Sequence, residues 1–190
     1  QAIEQLSRDN DDLPAEALQG GLDNWGGISA PMLERIGRYV EAEDNTQESL
    51  AAYAFYLAAE KRDRRWFAPL LSLARQDFRL DELLGDGVTE DLSSLVVSLF
   101  DGDLPALRTA ILDKNGDDFV RAGLLEAHGA LVLSGSIERE EATAWHFGAF
   151  ERLYPRRTAY LWRSWAETAI LFDPERALPL VRKAYARGWI

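Results

Sequence analysis

The stretch Asp117-Asp118-Phe119-Val120-Arg121-Ala122-Gly123-Leu124-Leu125-Glu126-Ala127-His128-Gly129-Ala130-Leu131-Val132-Leu133 decides the fold of this chain. Beyond its two opening carboxylates only Arg121, Glu126 and His128 interrupt the apolar run, so a helix made of it needs cover on most of its sides. Carboxylates suit a helix N-terminus, where unpaired N–H groups gather, and Ser134-Gly135 is a stop signal. Helices before and after it must supply the cover. The stretch therefore reads as the central rod of an all-helical stack. Arg121 is expected to tie neighbouring repeats, Glu126 to lie at the surface, and His128 is the polar residue hardest to place.

Working outward, Pro14 at a first-turn position starts a helix carrying Ala17, Leu18, Leu22 and Trp25, with Gly26-Gly27 as its end. Pro31 opens the next, with Met32, Leu33, Ile36, Tyr39 and Val40 at helical spacing. Glu43-Asp44-Asn45 breaks it, and Thr46 caps a third helix bearing Leu50, Tyr53, Ala54 and Leu57. A basic knot, Lys61-Arg62-Asp63-Arg64-Arg65, precedes a helix from Trp66 to Ala74. Thr89 starts a helix through Leu99, and Leu104-Pro105 starts one that stops at Asn115-Gly116. Beyond the central rod, helices are expected over residues 137–153 and 158–172 and from Asp173-Pro174 to Gly188. No segment alternates in strand fashion. The fold class is all-α, with roughly ten helices and no sheet, in one domain over residues 1–190. Short loops and amphipathic hairpins that cannot bury their faces alone give an α-α superhelix of solenoid type, with a compact irregular bundle as the alternative.

Composition narrows the function more than it selects one. The chain has 190 residues, a formal net charge of −11 and a pI near 4.7, which weighs against general nucleic-acid or anionic-membrane binding. Residues 1–60 carry 12 acids against 3 bases, whereas residues 138–190 carry 7 against 9. Cys is absent, so these residues hold no disulfide, no Cys-ligated zinc and no thiol chemistry. Residues 1–12 are polar where a secretory signal needs an apolar core, and no window is apolar enough to span a bilayer. The expected location is the cytoplasm.

Phe119-Val120-Arg121-Ala122 resembles the second half of a HEAT-type repeat, in which an Asp and an Arg one turn apart recur. Several blocks together resemble an uncharacterised bacterial family known as a domain of unknown function. They are Leu13-Pro14, Leu84-Gly85-Asp86-Gly87-Val88-Thr89-Glu90, Phe100-Asp101-Gly102-Asp103, Val120-Arg121 through Gly135-Ser136-Ile137-Glu138-Arg139-Glu140, and Ala184-Tyr185-Ala186-Arg187-Gly188. The resemblance spans nearly the whole chain and implies an α-α superhelical fold, not an activity. Members often carry a C-terminal Cys-rich zinc-binding extension; with no Cys here, no zinc site is carried over.

Candidate chemistry is sparse. Asp117 and Arg121 stand one turn apart, where an ion pair or a cap can form, and read as structural. His128 and His146, with Glu126 or Glu141, are the conceivable metal ligands, but neither histidine has a carboxylate three or four residues away, and no metal or cofactor is expected. Gly85-Asp86-Gly87 lacks the Lys and preceding strand of a phosphate loop, and Asp101-Gly102-Asp103 lacks the further ligands of a calcium loop. Arg156, Arg157 and Arg163 beside Tyr160, Trp162 and Trp165 form the leading constellation, because Arg and Trp dominate binding hot spots. They suggest a groove for an acidic peptide or a phosphate-bearing ligand, against the plainer reading of arginines over a Trp-lined core. The function expected is a non-enzymatic helical-repeat module for a protein or peptide partner. A ligand-binding protein or enzyme with a site between helices is the alternative.

Overall fold

Twelve α-helices run through the residues that the computed structural model describes, 14–41, 48–76 and 79–190, and no strand occurs among them. Helices α1 (Ala15–Asp23), α2 (Trp25–Glu41), α3 (Glu48–Glu60) and α4 (Phe67–Ala74) build the first half, with a 3-10 turn at Arg64–Trp66. Short α5 (Arg79–Leu84) and α6 (Gly87–Glu90) lead to α7 (Leu92–Leu99) and α8 (Leu104–Leu112). The rest are α9 (Asp118–Leu133), α10 (Arg139–Ala149), α11 (Tyr160–Phe172) and α12 (Pro174–Ala186). The polar residues 1–12, Leu13, the expected break at Glu43-Asp44-Asn45 and the expected cap at Thr46 lie outside the described residues.

The central rod is α9. It packs against α5, α6, α7, α8, α10 and α11. Leu124, Leu125 and Ala127 have no exposed surface, and burying each such Leu side chain contributes about 2 kcal/mol. Two glycines set how near the neighbours come. A Cβ on Gly123 would stand 3.0 Å from Leu92 Cδ2 and 3.3 Å from the Val88 carbonyl oxygen, and one on Gly129 would stand 3.0 Å from Thr168 Cγ2. Gly costs a helix about 1 kcal/mol relative to Ala, and here close packing of α7 and α11 on either flank offsets it. Helices α3, α7, α9 and α11 thus follow side by side in one row, while α2, α4 and α8 form a second. Buried side chains from both rows join one hydrophobic cluster.

Caps fall where the sequence places them at several corners. Asp103 accepts from the Ala106 N–H at 2.9 Å and Asp173 from the Arg176 N–H at 3.0 Å, each followed by Pro in the first turn. Three expectations need correction. The break near residue 26 sits instead at Asn24, and Gly26, Gly27 and Pro31 all lie within α2. Gly27 lets the Asn24 side chain close over the new helix, since a Cβ there would stand 2.8 Å from Asn24 Oδ1. The helix expected from Thr89 is split at Asp91, where the Thr89 hydroxyl bonds back to the Asp86 carbonyl. The helix expected over 137–153 is shorter, because Glu138 caps it by accepting from the Glu140 and Glu141 N–H groups.

The packing predicts opposite outcomes for two glycine substitutions. Gly123→Ala should destabilise the fold by about 1–2 kcal/mol, because the Val88 carbonyl cannot swing aside as a side chain would. Gly148→Ala on α10, where nothing lies within 4 Å of the added Cβ, should stabilise it by about 0.5–1 kcal/mol. Urea denaturation of the two variants measures both signs.

Candidate functional site

Arg121 is the junction from which the site geometry is built. It is only 1% exposed. Its Nε donates to the Ile111 carbonyl at 2.9 Å and its Nη1 to the Tyr154 carbonyl at 2.6 Å. It therefore joins the end of α8 to the segment between α10 and α11. Of the ion pair or cap open to Asp117 and Arg121, the cap is the one that forms. Asp117 caps α9, accepting from the Phe119 and Val120 N–H groups at 2.8 and 3.1 Å, while Asp118 stands 3.5 Å from Arg121 Nη1. Burial pushes the Asp118 carboxyl up from its ordinary value, against the pull of Arg121 and Arg157.

The Arg/Trp constellation separates into an interior part and a surface part. Trp162 and Trp165 have no exposed surface, so Trp162 is a core residue and cannot line a groove. Trp162 donates from Nε1 to the Pro155 carbonyl and stacks on Trp189 at 4.6 Å between ring centres. Arg156 lies over Trp189 at 4.7 Å and donates to the Glu151 carbonyl at 2.6 Å. Arg163 pairs with Glu167 within α11 at 2.9 Å. Arg157 points elsewhere, 3.7 Å from Asp118. The three arginines thus serve three different partners and make no common cationic surface. What stays outside is Arg157, Arg163 and part of Tyr160, whose ring stacks on Phe119 at 5.3 Å. Phe119 is 46% exposed and Tyr154 54%.

Two clefts meet beside this junction. The first, about 650 Å³, lies between α4 and α8, with Leu71, Ser72 and Arg75 on one wall and Ala106, Thr109 and Asp113 on the other. Asp101 and Asp103 also line it, and Asn115 closes it. The second, about 470 Å³, is bounded by Lys114, Asn115, Asp117, Asp118, Tyr154 and Arg157. Asn115 lines both, so the two adjoin there as a trough in two parts, with α4 at one end and Tyr154 and Arg157 at the other. Arg75 pairs with Asp113 at 3.0 Å across the first cleft. Burial opposes ionisation of Asp113, but the Asn115 N–H and Arg75 outweigh it and hold the carboxyl below its ordinary value. Sequence reasoning missed Asn115, Tyr154 and the α4–α8 walls, because the trough is assembled from residues far apart in the chain.

The two histidines are core groups. Both have no exposed surface. Arg108 donates to His128 Nε2 at 3.4 Å through Nε, forks onto Glu141 at 2.5 and 2.8 Å, and lies over the Trp145 ring at 4.8 Å. His146 Nε2 donates to the Trp165 carbonyl at 3.0 Å and its ring stacks on Trp165. No group of three potential metal ligands occurs among the described residues. Glu126, expected at the surface, is half-buried and accepts from the Ser164 hydroxyl at 2.6 Å. Burial, and then the nearby Arg108, push His128 down to about 3. Burial likewise pushes His146 down to about 4, against its bond to Trp165.

Both histidines are neutral in the fold and charge more readily once unfolded. Their stabilisation is therefore present above about pH 6.5 and is lost as pH falls toward the folded values. Each should remove about 2 kcal/mol between about pH 6.5 and 4.5. His128→Gln should flatten that slope by its share, as denaturant midpoints across this range will show; an unchanged slope would place the acid sensitivity elsewhere.

Among the described residues no helix is long and apolar enough to cross a membrane. No curated protein and no solved structure matches the chain. A family model does, over residues 1–190, described as Protein of unknown function (DUF1186). The all-α architecture and the match along the whole chain agree with the resemblance seen in its sequence blocks, and the chain belongs to that family.

Proposed function

We propose that this chain is a helical-repeat recognition module that holds an extended segment of a protein partner in the trough between α4, α8 and the Tyr154–Arg157 rim. The observation that carries this reading is that two open clefts adjoin at Asn115, which gives a long depression along the surface. Helical walls fix its width. At its far end stand Tyr154 and Arg157, residue types that dominate interface energetics.

Charge supplies the chemistry of the partner. Five aspartates line the trough, Asp101, Asp103, Asp113, Asp117 and Asp118, against Arg75, Lys114 and Arg157. Arg75 and Arg157 are each already paired with one of those aspartates. The net charge of −11 adds a long-range field of the same sign. A segment with Lys or Arg residues and one aromatic or aliphatic anchor fits this surface, where the sequence alone had suggested an acidic one.

Selection of displayed random peptides on the immobilised protein tests the reading. Enrichment of basic peptides with an apolar anchor is expected. Thr109→Arg in the groove and Tyr154→Ala at the rim should each weaken the selected peptides about tenfold, about 1.4 kcal/mol. Arg182→Glu on α12 should leave them unchanged. If no peptide is enriched, or if enriched peptides bind both trough variants as well as the parent, the trough is not the binding surface.

A further inference from the structure

The basic knot between α3 and α4 sorts its side chains to opposite sides. Asp63 turns inward. Its Oδ2 accepts from Trp25 Nε1 at 3.1 Å and from the Ser29 hydroxyl at 2.7 Å, and Arg65 binds it at 2.6 and 2.8 Å. The Arg65 guanidinium and these donors hold the Asp63 carboxyl far below the usual carboxylate range, although burial opposes them. Asp63 and Arg65 are thereby committed to the packing of α2 against the knot. Arg62 and Arg64 are not. Both are exposed, and neither makes an ion pair or side-chain hydrogen bond among the described residues.

These two arginines line a cleft of about 470 Å³ with Ser98, Ser134 and Ser136, and with the half-buried Val97 and Phe100 as an apolar wall. The volume lies within the range of about 300–1,000 Å³ typical of small-molecule sites. Helix α3 ends with the Asp63 N–H bonded to the Ala58 carbonyl and the Arg62 N–H to the Ala59 carbonyl. That is the Schellman arrangement, whose left-handed position usually holds Gly. Here Arg62 occupies it at φ +50°, the sole positive φ of a non-glycine residue among the described residues. A residue kept in a disfavoured conformation at the mouth of a cleft points to a demand on its side chain beyond the turn itself.

We infer that this cleft binds a small organic phosphate monoester, with Arg62 and Arg64 on the phosphate, the serine hydroxyls as further donors, and the organic group against Val97 and Phe100. Two guanidinium groups face one carboxylate, Asp101, which accepts from the Asp103 N–H at 2.8 Å and is held by that turn. Guanidinium forks match phosphate oxygens in pairs, and hydroxyls can rotate to donate. Ser134 and Ser136 stand 2.9 Å apart, close enough for both to reach one phosphate once the Ser134 hydroxyl turns from the Leu131 carbonyl, to which it donates at 3.1 Å. The site adjoins the proposed peptide trough at the 101–103 turn, where Asp101 lines both.

Titration of isotopically labelled protein with phenyl phosphate and with inorganic phosphate, at constant ionic strength in chloride, tests the assignment by NMR. Saturable shifts at Arg62, Arg64, Ser98, Gly102, Ser134 and Ser136 are expected, with phenyl phosphate at least threefold tighter. Arg62→Gln with Arg64→Gln should weaken both at least tenfold. Arg62→Gly should weaken binding while leaving the melting temperature equal or higher, because Gly suits the left-handed position; this separates ligand contact from folding. Shifts that do not saturate, or that persist in the double variant, overturn the site. Equal affinity for the two probes overturns the organic ester. A double variant that melts several degrees lower while the parent shows no response would mean that the arginines serve only the carbonyl ends of α7 and α9.

Discussion

The buried guanidinium of Arg121 is the interaction on which the arrangement around the trough depends. It bonds the carbonyl of Ile111 and the carbonyl of Tyr154 from a side chain that is 1% exposed. A charge in that position is costly to desolvate, and removing one of its partners would leave the cost uncompensated. Helix α8, helix α9 and the segment before α11 are therefore held by one side chain. Gly116 permits this, since a Cβ there would crowd the Ala74 carbonyl at 3.1 Å and Arg121 Cδ at 3.4 Å. The turn that forms the middle of the trough follows from where Arg121 must go.

Around that tie, the two ends of the molecule use different devices. Near α3 and α7, the Tyr56 hydroxyl donates to Asp91 at 2.8 Å, and it passes so close to Gly87 that a Cβ would stand 2.7 Å away. Burial, with Asp91 beside it, pushes the Tyr56 phenol up to about 12. Near α11 and α12, the lock is aromatic: Phe150, Trp162, Trp165 and Trp189 pack with ring centres 4.6 to 6.2 Å apart. Arg156 closes that cluster instead of facing a ligand.

Periodicity made the all-α class and the position of α9 readable, because eleven of its residues are buried and few other elements could cover such a run. Corners with an Asp before Pro were also readable, since both residues act locally. The turn at Asn24 was not, because Gly26-Gly27 and Pro31 carry stronger local signals than the side-chain packing that overrides them. The Arg/Trp constellation shows a different limit. Composition marked it as a hot spot, yet Trp162 and Trp165 share the inward face of α11 while Tyr160 and Arg163 lie toward its rim. Proximity in sequence there is no guide to a shared surface. The trough was invisible for the opposite reason, as Ser72, Thr109 and Tyr154 come together only through α4, α8 and the Arg121 tie.

The glycine seams on α9 have a consequence for recognition. Where long side chains separate helices, rotamer changes let neighbouring elements slide, and a binding surface adapts to several shapes. Gly123 and Gly129 bring Leu92 and Thr168 directly onto the α9 backbone, leaving no such slack. The scaffold behind the trough is therefore stiff, and under the proposed function the entropy lost on association would fall mainly on the incoming segment. Such a surface gains selectivity chiefly by rejecting what does not fit, and a segment already extended in its free state would bind it at the lowest entropic cost.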